Sequence, residues 1–326
     1  QRTGLRPSLY TWLTVNLFKH QRLMEKMRRA GFDMLFIGIE SFSANSLLET
    51  AKLQNRPDQL THAVRTIQSY GFIVVAGLIF GFDSDGEECF DETLQGILDS
   101  GLLSGDPSLL TALPGTPLYR RMKLSNRLRD VHYSLGGYKY QTNIMYLMPR
   151  DKMTRGYRNF VRKYNDGKYQ YRRLVRFFDN LESGNFIPLG RGGYGNLRGF
   201  LKLIVSNRAA LRQLLVRGIR FASKPRNVWF ALRGALWTIF KSSAAGRFSY
   251  LQFWLFAWSN SVLKYQNLGD EDFDIESVGA DFDIHLVLPE RYRATADEDI
   301  PAHKIDAQVR ATSRQLHALA LGSDPK

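Results

Sequence analysis

The run Phe72 to Phe80, FIVVAGLIF, is apolar throughout apart from the glycine at 77, and after Gly81 and Phe82 it breaks into the polar Asp83-Ser84-Asp85. An apolar stretch without alternation is the pattern of a strand covered on both faces, as in a parallel sheet. Glycine inside or at the end of such a strand weakens it, so Gly77 and Gly81 mark either a close approach by something flat or a tight strand end that makes room for a neighbouring side chain.

The segments around this run alternate in type. Thr11 to Phe18 reads as a strand, and His20 to Ala30 as a helix with Leu23, Met24 and Met27 on one face and Gly31 beyond its end. A second strand, Met34 to Ile39, leads directly into Glu40 and Ser41. Pro57 opens a helix with Leu60, Ala63, Val64 and Ile67 on its apolar face, closed at Gly71. After the Phe72–Phe80 strand a helix over Glu87 to Ser100 turns Phe90, Leu94, Ile97 and Leu98 inward. Ser108 to Leu113 is expected as the fourth strand, running into PGTPLY at Pro114 to Tyr119. Short helical crossovers require parallel strands and right-handed connections, so the fold class is α/β, either an open doubly wound sheet or an arc of a barrel. Ligands bind at the carboxyl ends of such strands. Asn16, Glu40, Asp83 and the loop at Thr116 all fall at that end. For Glu40 alone a helix cap or a salt bridge would suffice, and its company on one rim shifts the reading to ligand contact.

Composition narrows the classes further. The 326 residues suffice for roughly two domains, and 44% hydrophobic content excludes wholesale disorder. A single cysteine, Cys89, rules out a disulfide framework or a multi-cysteine metal site built from this chain, and it is read as an exposed or half-buried helical residue without chemistry. Residues 150–268 carry 23 Lys and Arg against 4 Asp and Glu, although the whole chain has a net charge of +14. Such a region suits an anionic membrane surface, nucleic acid or an acidic substrate, or is simply a solvated face. Beyond Leu124 the strand signal fades. Helical spacing appears at Tyr157, Phe160, Val161 and Tyr164, a glycine-rich turn at Gly190 to Asn196, and helices near Leu197–Asn207, Ala210–Ala222 and Asn227–Lys241. Phe248 to Tyr265 is too short and too interrupted by Gln252 and Asn260 to span a bilayer, so it is expected as a core helix or one resting on a membrane. An acidic stretch follows at Asp270 to Glu276, with a short strand expected near Phe282 to Leu288.

Four motifs together resemble the second half of a radical S-adenosylmethionine domain: GIES at 38–41, Asn55 after KLQ, AGLIFGFDSD at 76–85 and ALPGTPLYRRM at 112–122. The branch it resembles is the cobalamin-binding one that includes hopanoid C-methylases. The basic region from Asn143 to Asn267 is similar to that branch's helical C-terminal extension. The resemblance implies a partial TIM-type barrel of six strand-helix units, of which the last four are present. It divides the chain into residues 1–123, the barrel portion; 124–268, the basic helical extension; and 269–326, an acidic tail. It places Glu40 at the ribose and amino acid part of S-adenosylmethionine, Gly77, Ile79 and Gly81 against adenine, and the backbone at Leu113 beside adenine. Asn16 joins them as the cofactor-side residue of the first strand. Ser84 stands where the family usually has glutamate.

The resemblance also implies a 4Fe-4S cluster and cobalamin. The cluster needs a C-x-x-x-C-x-x-C motif that this chain lacks, so both are expected in a longer parent, with the chain inactive alone. The implied activity is reductive cleavage of S-adenosylmethionine for C-methylation of a hydrophobic substrate such as a polycyclic lipid. The expected reductant is a flavodoxin or ferredoxin, in the cytoplasm, with peripheral inner-membrane contact and no nucleic acid partner. The alternatives are a radical cyclase or rearrangement enzyme, and a non-catalytic basic module that binds RNA or membrane.

Overall fold

In the computed structural model, which describes residues 8–49, 57–131, 140–189, 208–244, 246–265, 268–279 and 282, the apolar run forms a strand at Ile73–Phe80. It is β3 of a sheet with β1 at Leu9–Leu13, β2 at Phe32–Glu40 and β4 at Ser104–Leu109. The four strands hydrogen-bond in the order β1-β2-β3-β4, and each neighbouring pair is parallel. The α/β class with parallel strands is therefore as the alternation requires.

Between the strands run α1 at Gln21–Ala30, α2 at Ala44–Glu49, α3 at Pro57–Ser69 and α4 at Cys89–Ser100. Gly31, Gly71 and Gly101 follow α1, α3 and α4 with positive φ, which glycine adopts without a Cβ penalty. One face of β3, formed by Val74, Ala76, Leu78 and Phe80, is buried under Leu60, Val64 and Ile67 of α3 and Phe90, Leu94 and Ile97 of α4. The other face is only half-buried at Val75, Gly77 and Ile79. Full coverage on both sides, expected from the unbroken apolar run, thus holds for one face and not for the upper part of the other. Cys89, at the start of α4, is buried rather than exposed or half-buried.

Two strand boundaries differ from expectation. Residues 14–18 do not continue β1 but turn into a 3-10 helix at Val15–Lys19, because Val15 and Leu17 reach the core from a tight turn while mimicking strand alternation. The fourth strand is Ser104–Leu109 and not Ser108–Leu113. Its Gly105 and Pro107 disfavour a strand, but Pro107 needs no ladder donor on the outermost strand of the sheet. Pairing from Val75↔Ser104 to Phe80↔Leu109 overrides local propensity.

Strand structure does not end at Leu124. After α5 at Pro117–Leu124, β5 at Gln141–Tyr146 pairs in parallel with β6 at Asp274–Ser277. The signal of β5 is muted because Thr142, a polar residue, occupies a buried position beside Ile144 and Tyr146. That of β6 is hidden in an acidic run in which Ile275 is buried. The strand expected near Phe282–Leu288 lies outside the described residues except for Phe282, which is not in a strand. The glycine-rich turn at Gly190–Asn196 and the helix at Leu197–Asn207 also lie outside them.

The helical part contains α6 at Arg150–Tyr164, α7 at Gly167–Leu181, α8 at Arg208–Ala222, α9 at Pro225–Phe240 and α10 at Arg247–Tyr265. Tyr157, Phe160, Val161 and Tyr164 of α6 are buried in the same cluster as the sheet, so one core runs across Leu124. A second cluster joins Leu174, Phe177 and Phe178 of α7 to Trp254 and Trp258 of α10, and it reaches Ile73 and Leu103 at the sheet's lower end. The indole of Trp254 donates to Gln170 at 3.2 Å and that of Trp258 to the Asn165 carbonyl at 2.9 Å. Such satisfied indoles mark α10 as a core helix. No described helix is long and apolar enough to cross a membrane.

Candidate cofactor-binding site

Glu40 ends β2 in an unusual backbone state. Its φ of 69° is one of two positive values among the described non-glycine residues, and the Ser41 amide donates to the Ile39 carbonyl at 3.0 Å across it. That is a γ-turn of the strained, positive-φ kind, a conformation that persists only where the surroundings hold it and that clusters at functional sites. The surroundings here are the buried Ser41, Phe42 and Ser43, with the Ser41 hydroxyl accepting from the Ser43 amide at 3.0 Å. Glu40 lies half-buried, set beside Leu78 of β3 by a register shift that follows Gly38. Asn16 is half-buried in the 3-10 helix just past β1.

The glycines have neighbours within the chain. A Cβ on Gly77 would meet the Phe36 ring at 3.0 Å, so the ring already lies beside the side-chain-free surface. Gly81 has φ of +105°, and a Cβ there would sit 2.5 Å from the Tyr146 ring. Gly81 is thus a strand-ending turn packed under β5, whereas Gly77 and Ile79 lie on the half-buried face with Phe36.

Leu113 lies four residues beyond β4 and is exposed. Its carbonyl accepts from the Thr116 amide at 3.1 Å and the Thr116 hydroxyl at 2.7 Å, which closes the Pro114-Gly115 turn and sets Thr116 as the N-cap of α5. The neighbouring Ala112 amide and carbonyl are both bonded to the Asn143 side-chain amide, at 2.9 and 2.7 Å. Thr142 and Tyr146 donate to the Leu110 carbonyl at 2.7 and 2.9 Å. The segment past β4 is therefore held by side chains of β5. Thr142, Asn143 and Tyr146 escaped sequence reasoning, since their partners lie about thirty residues away and no local pattern links them.

The loop after β3 is pinned by charge. Asp85 accepts from the Gly81 amide at 2.7 Å, the Phe82 amide at 3.1 Å and the Ser46 hydroxyl. Asp83 receives both terminal nitrogens of the buried Arg127, at 2.9 and 2.6 Å, while Arg121 bridges Glu49 at 2.5 Å and Asp83 at 3.4 Å. The Glu49 carboxylate also accepts from the Ser84 amide and hydroxyl at 3.0 and 3.1 Å. Burial, reinforced by the nearby Glu49 charge, outweighs the three hydrogen bonds and pushes the Asp85 carboxyl up to about 6. A carboxyl with a raised folded-state value is protonated more readily in the native state, so its contribution is fully present below about pH 4 and is lost as the pH rises to about 6. Native stability should fall by about 2 to 3 kcal/mol across that window from this group. Asp85→Asn should flatten the drop in chemical denaturation series run between those limits, with an unchanged slope refuting the assignment.

Cys89 does not fit a cluster ligand, since burial, with the Asp85 charge adding to it, pushes its thiol well above the ordinary range. Among the described residues no group of three or more His, Cys, Asp or Glu is arranged to hold a metal ion.

Comparison with known proteins adds the relatives. Residues 116–266 match a family described as a domain of unknown function, DUF4070. The chain is 32% identical over 179 residues to hopanoid C-2 methylase of Rhodopseudomonas palustris (strain TIE-1), covering 55% of this chain and 32% of that protein. It is 34% identical over 139 residues to an uncharacterised methyltransferase of Synechocystis, covering 43% of this chain and 25% of the relative. It is 30% identical over 130 residues to bacteriochlorophyllide d C-12(1)-methyltransferase of Chlorobaculum tepidum, covering 40% and 27%. The matches thus span a third or less of each relative's length, and they bear out the likeness to the hopanoid C-methylase branch drawn from the motifs.

Proposed function

We propose that this chain is the C-terminal part of a radical S-adenosylmethionine enzyme that methylates carbon on a hydrophobic substrate such as a polycyclic lipid. The observation that carries the reading is the match to proteins named as C-methyltransferases, which also favours methylation over cyclisation or rearrangement. The unreversed order β1-β2-β3-β4 supports an arc of a barrel, because a doubly wound sheet reverses its order at a switch point. In that arc the face carrying Phe36, Gly77 and Ile79 is the barrel interior.

The half-buried strip fits S-adenosylmethionine in kind: an apolar, partly side-chain-free wall with a carboxylate at its upper edge. Glu40 would take the ribose and amino acid end, Gly77 and Ile79 the purine, Asn16 the neighbouring edge, and the loop at Leu113 the far side. Gly81 shapes the turn that ends the wall. Bound there, S-adenosylmethionine would supply the means to open an unactivated C–H bond once reduced. The strained turn at Glu40 fixes where its carboxylate meets the ligand, and the sheet's apolar face excludes water. With its single cysteine this chain does not supply the ligands of a 4Fe-4S cluster; the cluster, cobalamin and the electron donor would belong to the full-length parent.

The test uses the full-length parent, reconstituted anaerobically. S-adenosylmethionine and a reductant should yield 5′-deoxyadenosine, and a cluster-loaded sample that yields none refutes the reading. Glu40→Gln should weaken S-adenosylmethionine binding by about tenfold or more, the size of one lost hydrogen bond to a charged group.

A further inference from the structure

Helix α9 is apolar on two faces: Phe230 and Trp237 pack half-buried against the second core cluster, and a further set of large apolar residues lies on the opposite side. Its fully buried residues are Asn227, Gly234 and Thr238, between the half-buried Phe230 and Trp237, whereas Trp229, Leu232, Leu236 and Phe240, spaced three or four apart, form a stripe turned to solvent. Trp229 is 63% exposed, Leu236 56% and Phe240 76%, so among the described residues the stripe is uncovered along its length. A helix on a water-facing surface carries charged or polar residues on that outer side. At Gly234 α9 lies close on α10, where a Cβ would meet the Trp254 ring at 2.7 Å. Core packing accounts for Gly234, Phe230 and Trp237, but it gives no reason for large apolar residues outside. Helix α8, which leads into α9, exposes Leu215 and Ile219 as well.

Charge along the segment that carries the stripe is of one sign, with acidic neighbours only from elsewhere in the chain, Asp166 near its start and Glu182 past its end. The sequence has no Asp or Glu between Glu182 and Asp270, against 13 Lys and Arg in that interval. Exposed Arg212 and Arg220 lie on α8, and exposed Lys224 and Lys241 stand at the two ends of α9. Arg226 and Arg233 flank the stripe but are engaged within the chain, by Asp166 at 2.9 Å and by the Tyr171 ring at 4.6 Å.

We infer that the outer face of α8 and α9 docks on an anionic lipid bilayer. An apolar stripe with an interfacial tryptophan enters the boundary between headgroups and acyl chains, while the bracketing lysines and arginines reach the headgroups. Neither contribution alone gives firm attachment, and this face supplies both. The inference rests on exposure and charge, and it stands or falls independently of the chemistry proposed above.

Flotation of this chain with vesicles of phosphatidylcholine, and with vesicles that also contain phosphatidylglycerol, tests it. The chain should float with the anionic vesicles and far less with the neutral ones. Leu236→Glu combined with Phe240→Glu should weaken binding by about tenfold or more, since both positions lose apolar contact and gain repelled charge. Both side chains are exposed, so the melting temperature should be nearly unchanged and folding is not in question. Lys224→Glu with Lys241→Glu should abolish the preference for anionic vesicles and its salt sensitivity. Failure to float with anionic vesicles at low salt, or undiminished flotation of the Leu236 and Phe240 variant, overturns the inference. A dimer in light scattering that the same variant disperses would assign the face to a second copy of the chain, and would likewise overturn it.

Discussion

Gly81→Val is expected to destabilise the chain by about 3 to 5 kcal/mol, combining backbone strain with overpacking. The φ of +105° excludes a β-branched residue comfortably, and the new Cβ would lie 2.5 Å from the Tyr146 ring. The ring cannot swing aside at no cost, because its hydroxyl donates to the Leu110 carbonyl at 2.9 Å and it packs in the core. Gly77→Ala is a different experiment. Its Cβ would press on the Phe36 ring at 3.0 Å, a contact that a small ring shift relieves, so the loss should stay below about 1.5 kcal/mol. Denaturant midpoints of the two variants read this contrast directly, and equal losses would refute it. Only Gly77 can therefore report on a cofactor wall: its variant should weaken S-adenosylmethionine binding in the full-length parent by more than it lowers stability.

Arg127→Met should destabilise the chain by about 3 to 5 kcal/mol, the cost of stripping one partner from a buried ion pair. Arg127 is fully buried, donates twice to Asp83, and donates through Nε to the Met145 carbonyl at 2.9 Å. Its loss leaves Asp83 with only the 3.4 Å contact from Arg121 among the ion pairs described. The second variant, Asp83→Leu with Arg127→Met, should recover at least half of the loss, because an apolar pair of similar volume has no charge to desolvate. A double-mutant cycle measures the coupling, and additivity of the two single changes would exclude it. The pair matters because it ties the loop that ends β3 to the backbone of β5, within the region that matches DUF4070.

The helices and most of the parallel sheet were legible because their signals are local. Leu60, Ala63, Val64 and Ile67 recur at helical spacing and are buried as that spacing requires, and Gly31 and Gly71 end helices where a positive φ is needed. Phe72 to Phe80 named a strand from composition alone. β4, β5 and β6 were misplaced or missed because what makes them strands is a partner. SGDPSL has poor strand propensity and is held by β3, QTNIMY buries a threonine that bonds Leu110, and DIES pairs with β5 from an acidic run.

The candidate site divides along the same line. Sequence by itself determined that Glu40 stands at the tip of a buried strand beside a glycine-bearing neighbour, since chain order and periodicity settle both. Only tertiary structure decided that Glu40 is held in a left-handed turn, that Phe36 shares the surface at Gly77, and that Gly81 belongs to Tyr146. It also decided that Phe230 and Trp237 of α9 pack inward while Trp229, Leu232, Leu236 and Phe240 face outward, which periodicity cannot tell, because a helix apolar on two sides does not say which one the rest of the chain covers.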